Sequence, residues 1–298
     1  MIGMAFEARE RAPAKLNLYL DVLGRRDDGF HELETLFVSI DWADDLSLHL
    51  RTGHAPAELQ SEGDDTLPAD EDNLVLKAWR AATADMVAAP AARFHLHKRI
   101  PVGAGLGGGS SNAAAALRLV RRWRGTLPRS AHALATALGS DVPFLLAGGA
   151  AIGRGRGEEL APLPVPPALE VVLCLQPYGC STRQVFAEVK RGMRRPPEGT
   201  LPRLVDALER GDAKTLRDVH HNSLALPAMH AEPRLLRAAS AIERRLGRAP
   251  CLSGSGSTLY DVPDPGTASA VVDALDGLPG TRRIVRLGTA PGGADSRS

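Results

Sequence analysis

Cysteine is scarce in this sequence: Cys174, Cys180 and Cys251 are its only thiols, odd in number and widely spaced. Such a set makes no disulfide framework and carries no paired Cys/His spacing for structural zinc, so a reducing compartment is expected. No sign of charge dominates either. The 36 Lys and Arg residues against 35 Asp and Glu leave a net charge of +1, which exerts no general pull toward nucleic acid or acidic membranes. The local clusters Arg121–Arg124 and Arg191–Arg195 read as solvated helix faces. Aromatic residues make up only 4% of the chain, which, with the neutral charge, gives no support to an RNA-binding surface. Long apolar runs are missing as well. Ala133–Ile152 is broken by Ser140, Asp141 and Pro143 and cannot span a membrane. Met1–Glu10 mixes Glu7, Arg9 and Glu10 with a few apolar residues and lacks the core of a signal peptide. These absences point to a cytoplasmic protein.

What is present is the composition of a water-soluble globular protein, 44% apolar and 24% charged. Its 298 residues suffice for one large domain or two ordinary ones. Residues 12–22 alternate, with Leu16, Leu18, Leu20 and Val22 on one face and Lys15, Asn17, Tyr19 and Asp21 on the other, the period of a strand. Leu36–Trp42, Asp45–Leu50 and Phe94–Ile100 read as further strands, and Gly53–Asp72 as a polar loop. Helices are expected at Asn73–Met86, from Ser111 to about Trp123, and at Ser130–Leu138. Four prolines in Leu160–Pro167 mark a domain boundary, dividing the chain into 1–165 and 166–290, with a frayed tail at 291–298. Beyond it, strands are expected at Leu169–Leu175, Leu259–Val262 and Arg283–Leu287. Helices are expected near Gln184–Met193, Leu201–Gly211, Ala213–His220, Pro233–Leu246 and Thr267–Leu275. Strands and helices mix without strict alternation, so the fold class is α+β.

The densest chemistry lies in Pro101, Val102, Gly103, Ala104, Gly105, Leu106, Gly107, Gly108, Gly109, Ser110, Ser111 and Asn112. Five glycines within seven residues let a ligand approach the backbone. Ser110, Ser111 and Asn112 are favoured N-cap residues before a helix-forming run. Free N–H groups and the macrodipole at such a terminus make a phosphate cradle, and either serine has a hydroxyl to offer a phosphate or a magnesium ion. No Lys follows the final glycine, so this is not a Walker A loop. Gly103, Gly105 and Gly108 formally fit a dinucleotide fingerprint, but no Asp or Glu stands between Gly109 and Asp141 to hold a ribose. A plain flexible turn explains one or two glycines, not this density.

This loop, followed by Ala113–Ala116, resembles the ATP loop of the GHMP kinases. Pro13-Ala-Lys-Leu-Asn-Leu18 resembles the family's N-terminal motif, and Leu252-Ser-Gly-Ser-Gly-Ser257 its C-terminal glycine motif. Within the superfamily, Gly24–Leu33, Thr35–Phe37, Glu71–Leu74, Gly139–Pro143 and Gly155–Leu160 are similar to the 4-diphosphocytidyl-2-C-methyl-D-erythritol kinases. The resemblance implies two lobes, an N-terminal ribosomal-S5-like α/β domain and a C-terminal ferredoxin-like α/β domain. It implies ATP and Mg²⁺, a small-molecule substrate and a monomer or homodimer, with no nucleic acid or membrane partner. The implied reaction is phosphorylation of the substrate's 2-hydroxyl, in the non-mevalonate route to isoprenoid precursors.

Read as residues, Asp141 is an N-cap for a following helix turn or a carboxylate that orients the attacking hydroxyl; Lys15 is a solvated strand-end lysine or a cation for phosphoryl charge. The resemblance makes Lys15 and Asp141 the catalytic pair, Asp141 also touching substrate, and assigns Pro101–Ser111 to ATP. Asn17, Phe30, His31 and Thr182 become substrate residues: Phe30 stacks on cytosine and His31 reads its edge. Phe30 stands where relatives commonly have Tyr, which keeps stacking and loses a phenolic hydrogen bond. Asp72 and Asn73 lie near adenine or cap a helix. A substrate without a base would have no use for Gly29–Leu33, which separates this family from homoserine or mevalonate kinases. Retention of both Lys15 and Asp141 argues against a regulator that keeps the fold without catalysis.

Overall fold

The alternation at residues 12–22 belongs to a strand longer than the pattern that reveals it. In the computed structural model, which describes residues 6–63, 71–189 and 195–288, the first half of the chain runs β1 (Glu7–Arg25), β2 (His31–Arg51), β3 (Glu58–Glu62), α1 (Leu74–Ala82), β4 (Ala91–His97), α2 (Gly108–Arg124), α3 (Ala131–Leu138), α4 (Val142–Ala147), β5 (Ala150–Arg154) and β6 (Glu159–Leu163). There follow β7 (Glu170–Leu175), α5 (Thr182–Ala187), α6 (Thr200–Arg210), α7 (Ala213–Val219), β8 (His221–Asn222), α8 (Ala225–Ala231), α9 (Pro233–Leu246), β9 (Cys251–Leu252), β10 (Leu259–Asp261), α10 (Ala268–Ala274) and β11 (Thr281–Arg286). The expected tail at 291–298 lies outside the described residues.

The architecture is α+β. Strands β3-β4-β2-β1-β8 form the spine of a seven-stranded sheet, with β5 pairing to β2 and β6 to β5; β11-β7-β10-β9 form a second, four-stranded sheet. The two strands expected at Leu36–Trp42 and Asp45–Leu50 are one, because β2 pairs with β5 over Thr35–Val38 and with β4 over Asp45–Arg51 without leaving its partner β1. The expected loop at 53–72 contains β3, an edge strand whose single buried residue, Leu59, leaves no alternation to read. The proline-rich stretch begins as β6, where Pro162 is tolerated because the strand has β5 on one side only.

Leu46, Leu48, Phe94 and Leu96 of the first sheet pack beneath Ala113, Ala116 and Leu117 of α2. On the other face Leu16, Leu18, Leu36, Val38 and Ile40 share a cluster with Val171 and Leu173 of β7 and Leu204 and Leu208 of α6. A third cluster joins Val172 and Cys174 to Leu235 and Ile242 of α9. All three cysteines are free and buried. Among the described residues, no helix is long and apolar enough to cross a membrane.

Candidate active site

The glycine loop closes into α2 one turn earlier than its serines suggest. Gly107, with φ of 71°, is the N-cap, and the first helical bond runs from the Ser111 N–H to the Gly107 carbonyl at 2.9 Å. Ser110, Ser111 and Asn112 therefore lie inside the helix instead of capping it. The N–H groups of Gly108, Gly109 and Ser110 precede that first bond, the orphan donors that suit an anion. Gly105 must be glycine twice over: its φ is 74°, and a Cβ there would collide with the Ser253 carbonyl oxygen.

Asp44 braces this terminus from beneath. Fully buried, it accepts hydrogen bonds from Lys98 Nζ, from the Arg99 and Ile100 N–H groups at 2.7 and 2.8 Å, and from Asn112 Nδ2 at 2.9 Å. The Ser111 hydroxyl donates to the Pro13 carbonyl at 2.7 Å and is buried. Its N–H is spent on the first helical bond and its hydroxyl proton on Pro13, and Ser111 does not line the cleft. Ser110 lines the cleft.

Lys15 is not a solvated lysine. Its side chain is 4% exposed, and Nζ meets Asn17 Oδ1 at 2.6 Å, the Gly105 carbonyl at 3.0 Å and Asp141 Oδ2 at 3.5 Å. Asn17 Nδ2 donates in turn to Thr35 Oγ1 at 2.8 Å, so both ends of this buried amide are already engaged. Asp141 stands at the N-cap position of α4 but makes no capping hydrogen bond; its half-exposed carboxylate faces Lys15 instead. Asn73 caps α1 by accepting from the Val75 N–H at 2.9 Å, and Asp72 pairs with Lys77. Neither lines the cleft, whereas Leu74 does.

The C-terminal glycine motif roofs the loop. The Ser257 and Thr258 N–H groups donate to the Gly103 and Ala104 carbonyls at 3.2 and 3.1 Å, and Ser253 Oγ to the Gly105 carbonyl at 3.0 Å. Thr182 Oγ1 lies 2.9 Å from Ser255 Oγ, both on the cleft wall.

The cleft holds about 1230 Å³, above the usual range for one drug-sized ligand and roomy enough for two substrates. Phe30, 51% exposed, has the Arg156 guanidinium 4.6 Å from its ring centre, and Glu158 holds that guanidinium at 3.4 Å. His31 lies 5.1 Å from the Phe186 ring. Burial, then the nearby Arg25, lowers the His31 pKa from its ordinary value, favouring the neutral imidazole. The Phe30 N–H, then Arg26, holds the Asp28 carboxyl below the usual range. Lys15, Arg25, Lys98, Arg156 and Arg183 line the cleft against two carboxylates, Asp28 and Asp141.

The cleft thus gathers every expected site residue except Ser111: Lys15, Asn17, Phe30, His31, the loop from Pro101 to Ser110, Asp141 and Thr182. Val102 is half exposed at its rim. Sequence reasoning missed Asp44, Lys98, Arg156 and Phe186. Only Arg156 lay in a segment singled out as substrate-like; Phe186 is a lone aromatic in a short helix, with no local signal.

Residues 73–149 match the family model for the GHMP kinases N terminal domain. A 4-diphosphocytidyl-2-C-methyl-D-erythritol kinase of Mycolicibacterium vanbaalenii is 41% identical, over 94% of this chain and 89% of its own. One from Granulibacter bethesdensis is 40% identical, over 90% and 91%. A crystal structure of 4-(cytidine 5'-diphospho)-2C-methyl-D-erythritol kinase is 33% identical and superposes with a TM-score of 0.75, covering 95% of this chain and all of that one. By sequence over most of its length and by fold, the chain belongs to the 4-diphosphocytidyl-2-C-methyl-D-erythritol kinases of the GHMP kinase superfamily.

Proposed function

We propose that the chain transfers the γ-phosphoryl group of ATP to the 2-hydroxyl of 4-diphosphocytidyl-2-C-methyl-D-erythritol, an intermediate of the non-mevalonate route to isoprenoid precursors. The observation that carries this reading is the presence in one cleft of a helix-terminal glycine loop, a Lys–Asp pair and an aromatic-imidazole platform. The loop N–H groups of Gly108, Gly109 and Ser110 hold the ATP phosphates. Phe30 and Phe186 offer faces for the cytosine, neutral His31 hydrogen-bonds its edge, and Arg25, Arg156 and Arg183 attract the substrate's diphosphate.

Phosphoryl transfer asks the protein mainly for positioning and charge neutralisation. Asp141 orients the 2-hydroxyl and takes its proton as the new O–P bond forms and the β–γ bridge breaks, releasing ADP. Lys15, fixed by Asn17 and the Gly105 carbonyl, faces both Asp141 and the charge developing on the transferred group. Thr182 positions substrate through its link to Ser255.

Magnesium accompanies the nucleotide in this reading. Among the described residues no cluster of three His, Cys, Asp or Glu could hold a metal. Oxygen donors are nevertheless on the cleft wall, the Ser110 hydroxyl and the Asp141 carboxylate. These fit a hard cation whose ligands come mostly from phosphates and water. When bound, it neutralises charge on the β- and γ-phosphates. Three free, buried thiols suit the reducing cytoplasm.

The test is a substrate panel of the cytidyl substrate, homoserine and mevalonate, each with ATP and Mg²⁺, followed by ADP release. Turnover of the cytidyl compound alone is expected. Phe30→Ala should raise its KM roughly ten- to a hundred-fold, the worth of one base–aromatic stack, and leave the KM for ATP in place. Turnover of another alcohol in preference would sink the platform reading.

A further inference from the structure

Asn222 lies outside the cleft, yet it holds the part of the fold that covers Lys15. It sits in β8, whose two residues pair in parallel with Tyr19 and Leu20 of β1. The Ser223 N–H extends that ladder to the Leu20 carbonyl at 2.8 Å. The strand that carries Lys15 and Asn17 therefore carries Asn222 at a fixed register. From there Asn222 Nδ2 donates to two carbonyls of the glycine motif, Leu252 at 2.9 Å and Gly254 at 2.8 Å. Its Oδ1 accepts from the Leu224 N–H at 2.8 Å, which fixes the orientation of the amide. An asparagine amide has two N–H donors, and both are used. The clamped turn is close to the chemistry: a Cβ built on Gly254 would lie 3.2 Å from Lys15 Nζ and 3.2 Å from the Gly105 carbonyl oxygen.

We propose that Asn222 is a positioning residue for phosphoryl transfer, whose amide clamps residues 252–254 over Lys15 and thereby holds the ammonium in register with Gly105 and Asp141. The assignment rests on the kinase reading of the cleft. Without the clamp, two carbonyls lose the Asn222 donor, and the motif above Lys15 is held through the Ser253 hydroxyl, the Gly103 and Ala104 carbonyls, and the contacts of Ser255 with Thr182 and Ser257 with Tyr178. The ammonium then gains room to drift. Small displacements of this kind affect the chemical step more than binding.

Two readouts on the full chain test this. In amide hydrogen exchange without substrates, Asn222→Ala and Asn222→Asp should exchange faster over residues 252–258. Asp212→Ala, which removes the N-cap of α7, should lower the thermal midpoint without that local change. In steady-state kinetics, both Asn222 variants should lose roughly ten- to a hundred-fold in kcat, with both KM values within about two-fold. Asp212→Ala should keep its kcat. Asn222→Asp adds a signature that lost stability would not give. A carboxylate cannot donate, but protonation returns one donor, so the variant-to-wild-type ratio of kcat should rise as pH falls. Wild-type turnover in the same assay tests the kinase reading separately. Unchanged exchange over 252–258, or a kcat loss that merely tracks the thermal midpoint in all three variants, would overturn the role given to Asn222.

Discussion

A lysine with 4% of its side chain exposed needs acceptors on several sides, and Lys15 has three: an amide oxygen, a carbonyl and a carboxylate. That arrangement was half legible in the sequence. The alternation of β1 put Lys15 and Asn17 on one face, and the family motif joined Lys15 to Asp141. The Gly105 acceptor of Lys15, the Asp44 brace beneath the loop and the ring of Phe186 come from distant segments that only the fold brings near. Histidines carry a second consequence at this scale. Burial lowers the pKa of His220 and His221 from the ordinary 6.5, as it does for His31. The folded state then binds fewer protons than the unfolded chain. Stability from these groups is complete above about pH 6.5 and is lost as pH falls toward their folded values. The thermal midpoint should drop between about pH 7 and pH 5, and His221→Gln, which keeps a neutral side chain, should flatten that slope. A midpoint that rises on acidification would contradict it.

Among elements, the start of α2 shows where local pattern fails. Ser110, Ser111 and Asn112 have the chemistry of caps, yet Gly107 in a left-handed conformation begins the helix. Tertiary partners explain the shift: Pro13 takes the Ser111 hydroxyl and Asp44 takes the Asn112 amide. The same Asp44 fixes the Arg99 and Ile100 backbone at the entry to the loop. Asp44→Ala removes a buried carboxylate from Lys98 and three further donors, and should cost about 3–5 kcal/mol of stability. Chemical denaturation measures this; a loss below about 1 kcal/mol would mean that water replaces the carboxylate.

For the whole molecule, the fold class was legible because strands and helices mix without alternation, and most helices declared themselves by composition and terminal glycines. The way the two sheets meet was not. β8 is two residues long and β9 another two, too short for any periodicity, yet β8 joins the later half of the chain to β1. One buried cluster spans both sheets, from Leu16 and Val38 to Val171 and Leu204. Because of that shared cluster, the halves on either side of the proline-rich connection are expected to melt together. Calorimetry should show a single cooperative transition with calorimetric and van't Hoff enthalpies in agreement; two separated transitions would show that the shared cluster does not couple the halves.

On the proposed reading, this cleft phosphorylates the cytidyl-linked methylerythritol with Asp141 at the attacking hydroxyl. The most direct measurement is the ³¹P spectrum of a reaction containing the protein, ATP, Mg²⁺ and that substrate, run beside Asp141→Asn. A new phosphomonoester resonance and ADP are expected with the natural protein. In the variant the rate should fall about 10²–10⁴-fold, the range for loss of a general base. Phosphomonoester formed equally fast by Asp141→Asn, or no phosphomonoester from the natural protein, would contradict it.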